Sequence, residues 1–136
     1  MDTTLYDKNG EAIAYINDDF DQTIYLFDGY PVAYLFEDRH IYGLNGRHLG
    51  WLINEILFTD GGQRIGFTAI ICPAPLGKKP VKHKKRAKDQ PRPRWEKPVL
   101  PNMGFDFAVQ TLLDFLNEGR MAPLEVALET EAPEEA

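Results

Sequence analysis

One pattern of apolar, aromatic, glycine and small residues recurs in four similar stretches within about the first seventy residues of the chain. Each stretch opens with an apolar and an aromatic residue, has a glycine four residues later, and then has a small residue followed by a second aromatic residue. Short apolar runs on both sides of a turn signal predict the two strands of a β-hairpin. The opening aromatic residues are Tyr6, Tyr25, Tyr42 and Phe58, the glycines are Gly10, Gly29, Gly46 and Gly62, and the small residues are Ala14, Ala33, Gly50 and Gly66.

The glycine of each stretch follows Asn, Asp or another Gly, and such pairs are typical of tight hairpin turns. Glycine adopts the positive φ angles of these turns at no steric cost. A two-residue type I′ loop at Asn9-Gly10 would place Tyr6 opposite Ile13. A type I turn with a glycine bulge, which Asp7 favours, would shift this register by one residue. Both turn types predict four tandem hairpins.

The two faces of the first predicted hairpin differ in character. In the two-residue register, Tyr6 and Tyr15 share one face, whereas Leu5 and Ala14 share the other. Large apolar residues that recur in this way indicate a core, and the small residue indicates close approach of backbones around a central axis. We therefore predict an all-β fold of four tandem β-hairpin repeats in a closed or radial pseudo-four-fold arrangement over residues 1–72, plus one C-terminal α-helix.

The third stretch carries the strongest resemblance to a known family. The run Tyr42-Gly43-Leu44-Asn45-Gly46-Arg47-His48-Leu49-Gly50-Trp51 resembles the bacterial four-fold beta flower domain family. The resemblance covers roughly residues 4–72 and implies a small all-β domain of four hairpins about a pseudo-four-fold axis, often followed by a basic, proline-rich tail. It implies no activity and no catalytic residues. MORN, WG and YD repeats also combine aromatic residues with glycine, but their spacings fit less well.

The net charge of −6 conceals three zones of alternating sign. Residues 1–77 carry a charge of −7, residues 78–97 carry +8, and residues 98–136 carry −7. Residues 73–101 are also rich in proline, which predicts an extended, solvated and disordered linker. The basic residues could bind nucleic acid or another polyanion, or the linker could fold back onto the acidic domain. The candidate polyanion-binding residues are Lys82, Lys84, Lys85, Arg86, Lys88, Arg92 and Arg94.

An amphipathic pattern follows the linker. Phe105, Ala108, Leu112 and Leu116 recur at helical spacing, and Gly119 suits the end of a helix. The pattern predicts a helix within residues 102–119. A helix of this length is marginal alone, so its apolar face needs a partner. We favour packing on the same chain's β-domain over docking on a second copy or a partner. The acidic residues 120–136 are predicted to be disordered.

Catalytic and metal-binding patterns are weak in this sequence. The three histidines have no metal-ligand spacing with Cys72, and no zinc, phosphate-loop or serine-hydrolase motif is present. We therefore predict no metal, no cofactor and no enzymatic activity. Arg47, His48 and Trp51 could line a small ligand or glycan pocket, although an exposed Arg47–His48 pair beside the turn is the simpler interpretation.

Three functions remain open at this level. The first is a non-catalytic interaction or scaffolding module, with the possibility of a homo-oligomer. The second is a nucleic-acid or polyanion-binding accessory protein that uses residues 78–97. The third is a hydrolase or lectin-like pocket near His48 and Trp51. No apolar run is long enough to span a membrane and no signal peptide is evident, so we expect a cytoplasmic protein.

Overall fold

The computed structural model describes residues 2–121 and contains a closed antiparallel barrel followed by one short helix. Each strand pairs with its neighbour in the chain, and β1 closes the barrel by pairing Tyr6 with Phe67 of β8. The all-β class with a single C-terminal helix is thus confirmed. The strands are β1 Thr3–Tyr6, β2 Ala12–Ile16, β3 Thr23–Leu26, β4 Pro31–Phe36, β5 His40–Gly43, β6 His48–Ile53, β7 Ile56–Thr59 and β8 Arg64–Phe67, and the helix is α1 Leu112–Asn117.

The hairpin turns are of the glycine-bulge type. In the first turn, the Gly10 N–H donates to Asp7 O at 3.0 Å, and Gly10 has a φ of 84°. The register consequently shifts after Leu5 pairs with Ala14, so that Tyr6 faces Ala12 and not Ile13. The two-residue type I′ alternative is therefore wrong. The Asp7 carboxylate accepts the backbone N–H groups of Asn9 and Glu11, which fixes this turn.

The barrel interior is filled by one apolar cluster to which all eight strands contribute. Three helix residues, Leu112, Phe115 and Leu116, belong to the same cluster, so α1 closes the barrel with its buried side. The small position of the repeat makes room for them. A Cβ atom at Gly66 would lie 3.0 Å from Leu112 Cδ1. At Gly50 a Cβ atom would clash with the backbone carbonyl of Phe58 and would also lie 3.2 Å from Phe115 Cζ.

The helix is shorter than the sequence predicted. It covers Leu112–Asn117, where Thr111 caps its first turn by accepting the Asp114 N–H. Residues 102–111 are not helical, because their backbone groups bond to the barrel, as when the Ala108 N–H donates to Arg64 O at 2.8 Å. Phe105 is consequently 84% exposed rather than part of an apolar helix face. The packing of α1 on the same chain's barrel is the arrangement that the sequence favoured.

Residues 73–107, which we call the strap, lie along the outside of the barrel without regular secondary structure apart from one bridge between Phe107 and Arg64. The sequence predicted a disordered linker over residues 73–101, and the structure differs because strap backbone groups bond to the hairpin turns. The aromatic residues on the outer face of the barrel are buried. They form three clusters, around Tyr15, Tyr42 and Phe67. The predicted tail at residues 120–136 lies outside the described residues from residue 122 onward.

Candidate functional site

The strap is bound to each of the four hairpin turns by one equivalent hydrogen bond. In every case a strap N–H donates to the carbonyl oxygen of the turn glycine, at 2.7–3.0 Å. We call these four bonds the docking points. Their donors are spaced evenly, each nine residues after the last. The pairs are Gly77 with Gly10, Arg86 with Gly29, Trp95 with Gly46, and Gly104 with Gly62.

A second contact explains why the turn residue is glycine at each docking point. A strap carbonyl lies directly against the glycine Cα, on the side where any other residue would carry its Cβ atom. At Gly62, a Cβ atom would lie 2.5 Å from Asn102 O, which is closer than such atoms approach in proteins. The positive φ angle and the strap thus both require glycine. The carbonyl groups involved belong to Pro75, Lys84, Pro93 and Asn102, again nine residues apart.

Basic side chains of the strap lie over the outer aromatic rings. The guanidinium carbon of Arg94 is 3.8 Å from the ring centre of Phe36. The Lys85 ammonium lies 5.6 Å from the ring centre of Tyr15 and 5.8 Å from that of Tyr25. Such contacts are attractive because the face of an aromatic ring is electron-rich. Lys85 and Arg94 are themselves nine residues apart, so the repeat extends to these side chains.

Ion pairs join the strap to the loops between the hairpins. Lys88 bonds to Asp21 at 2.8 Å, and Lys97, nine residues later, bonds to Glu37 at 3.1 Å. Lys82 also pairs with Asp2. The hydrogen bond from Lys82 lowers the pKa of the Asp2 carboxyl below its usual range. The positive strap therefore neutralises part of the acidic barrel, which is the second of the two alternatives that the charge zones left open.

Six of the seven candidate polyanion-binding residues are engaged within the chain. Lys82, Lys85, Arg86, Lys88, Arg92 and Arg94 contact barrel rings, carboxylates or the Met121 sulfur. Lys84 is exposed, and no described residue forms an ion pair with it. The same holds for Lys78 and Lys79. The structure thus separates strap cations that hold the strap in place from three that face solvent.

A buried histidine pair lies in the outer wall of the third hairpin. His40 Nδ1 is 3.0 Å from His48 Nε2, and His48 Nδ1 is 2.7 Å from the Asp60 carboxylate. Both residues are buried, and the ring centres of His48 and Trp51 are 4.8 Å apart. Burial and the neighbouring His48 lower the pKa of His40 below its usual range. A hydrogen bond between the two rings requires a proton on one of the two facing nitrogens.

The predicted trio Arg47, His48 and Trp51 is only partly brought together. His48 and Trp51 are in ring contact, but both are buried, so the prediction of an exposed Arg47–His48 pair is wrong for His48. Arg47 is directed toward α1, where its guanidinium lies 3.6 Å from the Glu118 carboxylate. The trio therefore does not line a pocket together.

Two members of the histidine cluster were missed by sequence reasoning. His40 could have been found, because it lies two residues before Tyr42, the cross-strand partner of His48, and hence on the same face. Asp60 could not, since it lies in the turn of the next hairpin and was explained by turn chemistry alone. The repeat in the strap also had a signal, namely the nine-residue spacing of Lys79, Lys88 and Lys97.

Within residues 2–121, no group of three or more His, Cys, Asp or Glu side chains is arranged to hold a metal ion. The same range contains no helix with the length and apolar character needed to cross a membrane.

Comparison with known proteins identifies one family. The family described as "4-fold beta flower protein" matches residues 3–116, a range that includes the barrel, the strap and most of α1. Neither a curated protein nor a solved structure matches the chain.

Proposed function

The chain belongs to the four-fold beta flower family, and we propose that it is a non-catalytic interaction module whose barrel binds extended basic peptide segments. The observation that carries this proposal is the strap itself. Its backbone donates to the hairpin turns at four points, and its cations lie over the outer rings. These contacts are those by which a groove holds an extended peptide: backbone bonds give affinity, and side-chain sites give specificity.

The regular spacing of the docking points supports a further feature of this proposal. The four hairpins would be arranged about a pseudo-four-fold axis, so that each presents the same turn carbonyl to the strap. A strap with equal steps between its donors fits such an arrangement, because each step crosses one hairpin. The barrel would then act as a scaffold with four similar peptide-binding positions.

A labelled peptide that spans residues 82–99 tests the proposed function in the full chain. The Lys88→Glu and Lys97→Glu double variant should bind it at least tenfold more tightly than the unmodified chain, because repulsion from Asp21 and Glu37 releases the chain's own strap. Fluorescence anisotropy measures the binding. A peptide of the same length with its Lys and Arg residues replaced by Glu is the control. Absence of binding to the double variant would refute the proposal.

Nucleic-acid binding is the second candidate function, and the solvent-facing strap lysines favour it. Lys78, Lys79 and Lys84 are exposed and form no ion pair with any described residue, so they remain free to contact phosphate groups. This candidate requires only the outer side of the strap. It is compatible with a strap that stays bound to the barrel.

Two triple variants with equal charge change test this second candidate. Replacing Lys78, Lys79 and Lys84 by Gln should reduce the salt dependence of binding to a DNA duplex, with a slope smaller by about 2–3, and leave the melting temperature unchanged. Replacing Lys82, Lys85 and Lys88 by Gln should instead lower the melting temperature. Fluorescence anisotropy at several salt concentrations and thermal denaturation provide the two readouts. Equal loss of DNA affinity in both variants would argue against a role for the free lysines.

A further inference from the structure

The strap contacts the four hairpin turns of the barrel at intervals of nine residues. Repeat position is defined here by distance along the chain from the docking donors at residues 77, 86, 95 and 104. The carbonyl that contacts each turn glycine always lies two residues before the donor. Lys88 and Lys97 each lie two residues after a docking donor, and both pair with a carboxylate of an inter-hairpin loop. The backbone contacts therefore follow one register at all four turns, and the ion pairs follow it at two of them, since Lys79 at the same position forms no ion pair with a described residue.

We propose that the barrel recognises this nine-residue register. In place of its own strap, the barrel can then bind the strap of a second copy of the chain. The proposal rests on the proposed function and names its partner. A second strap carries the same donors at the same nine-residue spacing, so it can form every contact that the chain's own strap forms. No other segment of the described residues has this spacing together with positive charge.

The way in which the strap is held supports exchange between copies. None of the backbone hydrogen bonds among the described residues joins two strap residues, whereas strap N–H groups donate to the barrel at six places. The strap therefore has no structure of its own to lose when it leaves one barrel for another. Its stability on either barrel depends on the same turn carbonyls, rings and carboxylates.

Charge complementarity points to the same partner. Residues 1–77, which include the whole barrel, have a net charge of −7, and residues 78–97 of the strap have +8. Opposite charges on the two surfaces favour encounter between a barrel and a strap from separate chains. The chain's own strap has the advantage of high effective concentration, so exchange becomes visible as the protein concentration rises.

The register makes a specific prediction about where the strap tolerates proline. The contact two residues before the docking donor is already made by Pro75 and Pro93, so proline at the equivalent position 84 should fit. Position 86 provides a docking donor, and proline has no N–H group to replace it. The substitutions Lys84→Pro and Arg86→Pro each add one proline and remove one positive charge, which makes them a matched pair.

Peptides of residues 82–99 that carry these substitutions test the inference against the full-length Lys88→Glu and Lys97→Glu variant. The Lys84→Pro peptide should bind within about twofold of the unmodified peptide, whereas the Arg86→Pro peptide should lose at least tenfold in affinity. An Arg86→Gln peptide, which keeps the N–H but loses the stacking on Tyr30, should fall between them. Equal binding by the two proline peptides would refute recognition of the nine-residue register, but it would not contradict the proposed function.

Light scattering on the unmodified full chain tests the identity of the partner. The mass should rise from 15.5 kDa for one chain toward twice that value as concentration increases. A full-length Arg86→Pro chain should show the rise at a similar concentration, since its strap has lost the same donor on its own barrel and on a second one. A constant single-chain mass, with peptide binding retained, would show that the second copy is not the partner. Failure of all strap peptides to bind would instead refute the proposed function.

Discussion

Gly62→Ala is expected to destabilise the protein by about 2–4 kcal/mol, whereas Gly61→Ala, one residue earlier, leaves it unchanged or slightly more stable. Gly62 has a φ of 84°, which costs an alanine about 1–2 kcal/mol. The added Cβ atom would also lie 2.5 Å from Asn102 O, so that the strap must move at its fourth docking point. The remainder of the expected loss comes from this displacement.

Gly61 is a close control for that substitution. It lies in the same turn, is exposed, has no positive φ angle, and a Cβ atom there has only Thr59 Oγ1 nearby, at 3.7 Å. Chemical denaturation with a fluorescence readout gives the unfolding free energies of both variants. Similar values for the two would show that neither the backbone conformation nor the strap contact depends on glycine at position 62.

The barrel was largely predictable because its signals are local. Each glycine that follows Asn, Asp or Gly marks a turn, and the short apolar runs beside it mark the strands, so the four hairpins follow from short windows of sequence. The choice between turn types needed the structure, because Asp7 favours the bulge while Asn9-Gly10 equally fits a two-residue loop. The small residue that precedes the second aromatic residue of each repeat was predicted to mark close approach of backbones. This holds at Gly50, which lies against the backbone carbonyl of Phe58, whereas the nearest contact of a Cβ atom at Gly66 would be the helix side chain Leu112.

The strap was not predicted because its order comes entirely from contacts distant in sequence. Proline and like charges indicate a disordered segment when only neighbours along the chain are considered. The acidic residues that offset this charge lie 60 or more residues away, as in the pairs of Lys88 with Asp21 and Lys97 with Glu37. The aromatic rings are also distant in sequence, as Phe36 is from Arg94. Contacts distant in sequence also explain why the helix is shorter than predicted. Phe105 and Ala108 have helical spacing in the sequence, but the backbone around them bonds to the barrel.

The stability of the protein should fall as the pH is lowered from about 6.5, and His40 should account for part of this fall. Burial and the adjacent His48 lower the pKa of His40 in the native state, whereas an unfolded chain has a pKa near 6.5. Between these two values the unfolded chain binds a proton that native His40 does not. Stability then decreases by up to about 1.4 kcal/mol per pH unit, and the loss stops growing below the native pKa.

His40→Gln isolates this contribution, because glutamine keeps a polar group beside His48 Nε2 but does not titrate. Lys97 and Arg39 oppose the charge on His40 while Glu37 favours it, and all three remain in the variant. The pH profile of its unfolding free energy should be flatter below pH 6.5 than that of the unmodified chain. His83→Gln, which alters an exposed strap histidine, is the control substitution. Parallel profiles for the His40 variant and the unmodified chain would exclude His40 as the titrating group.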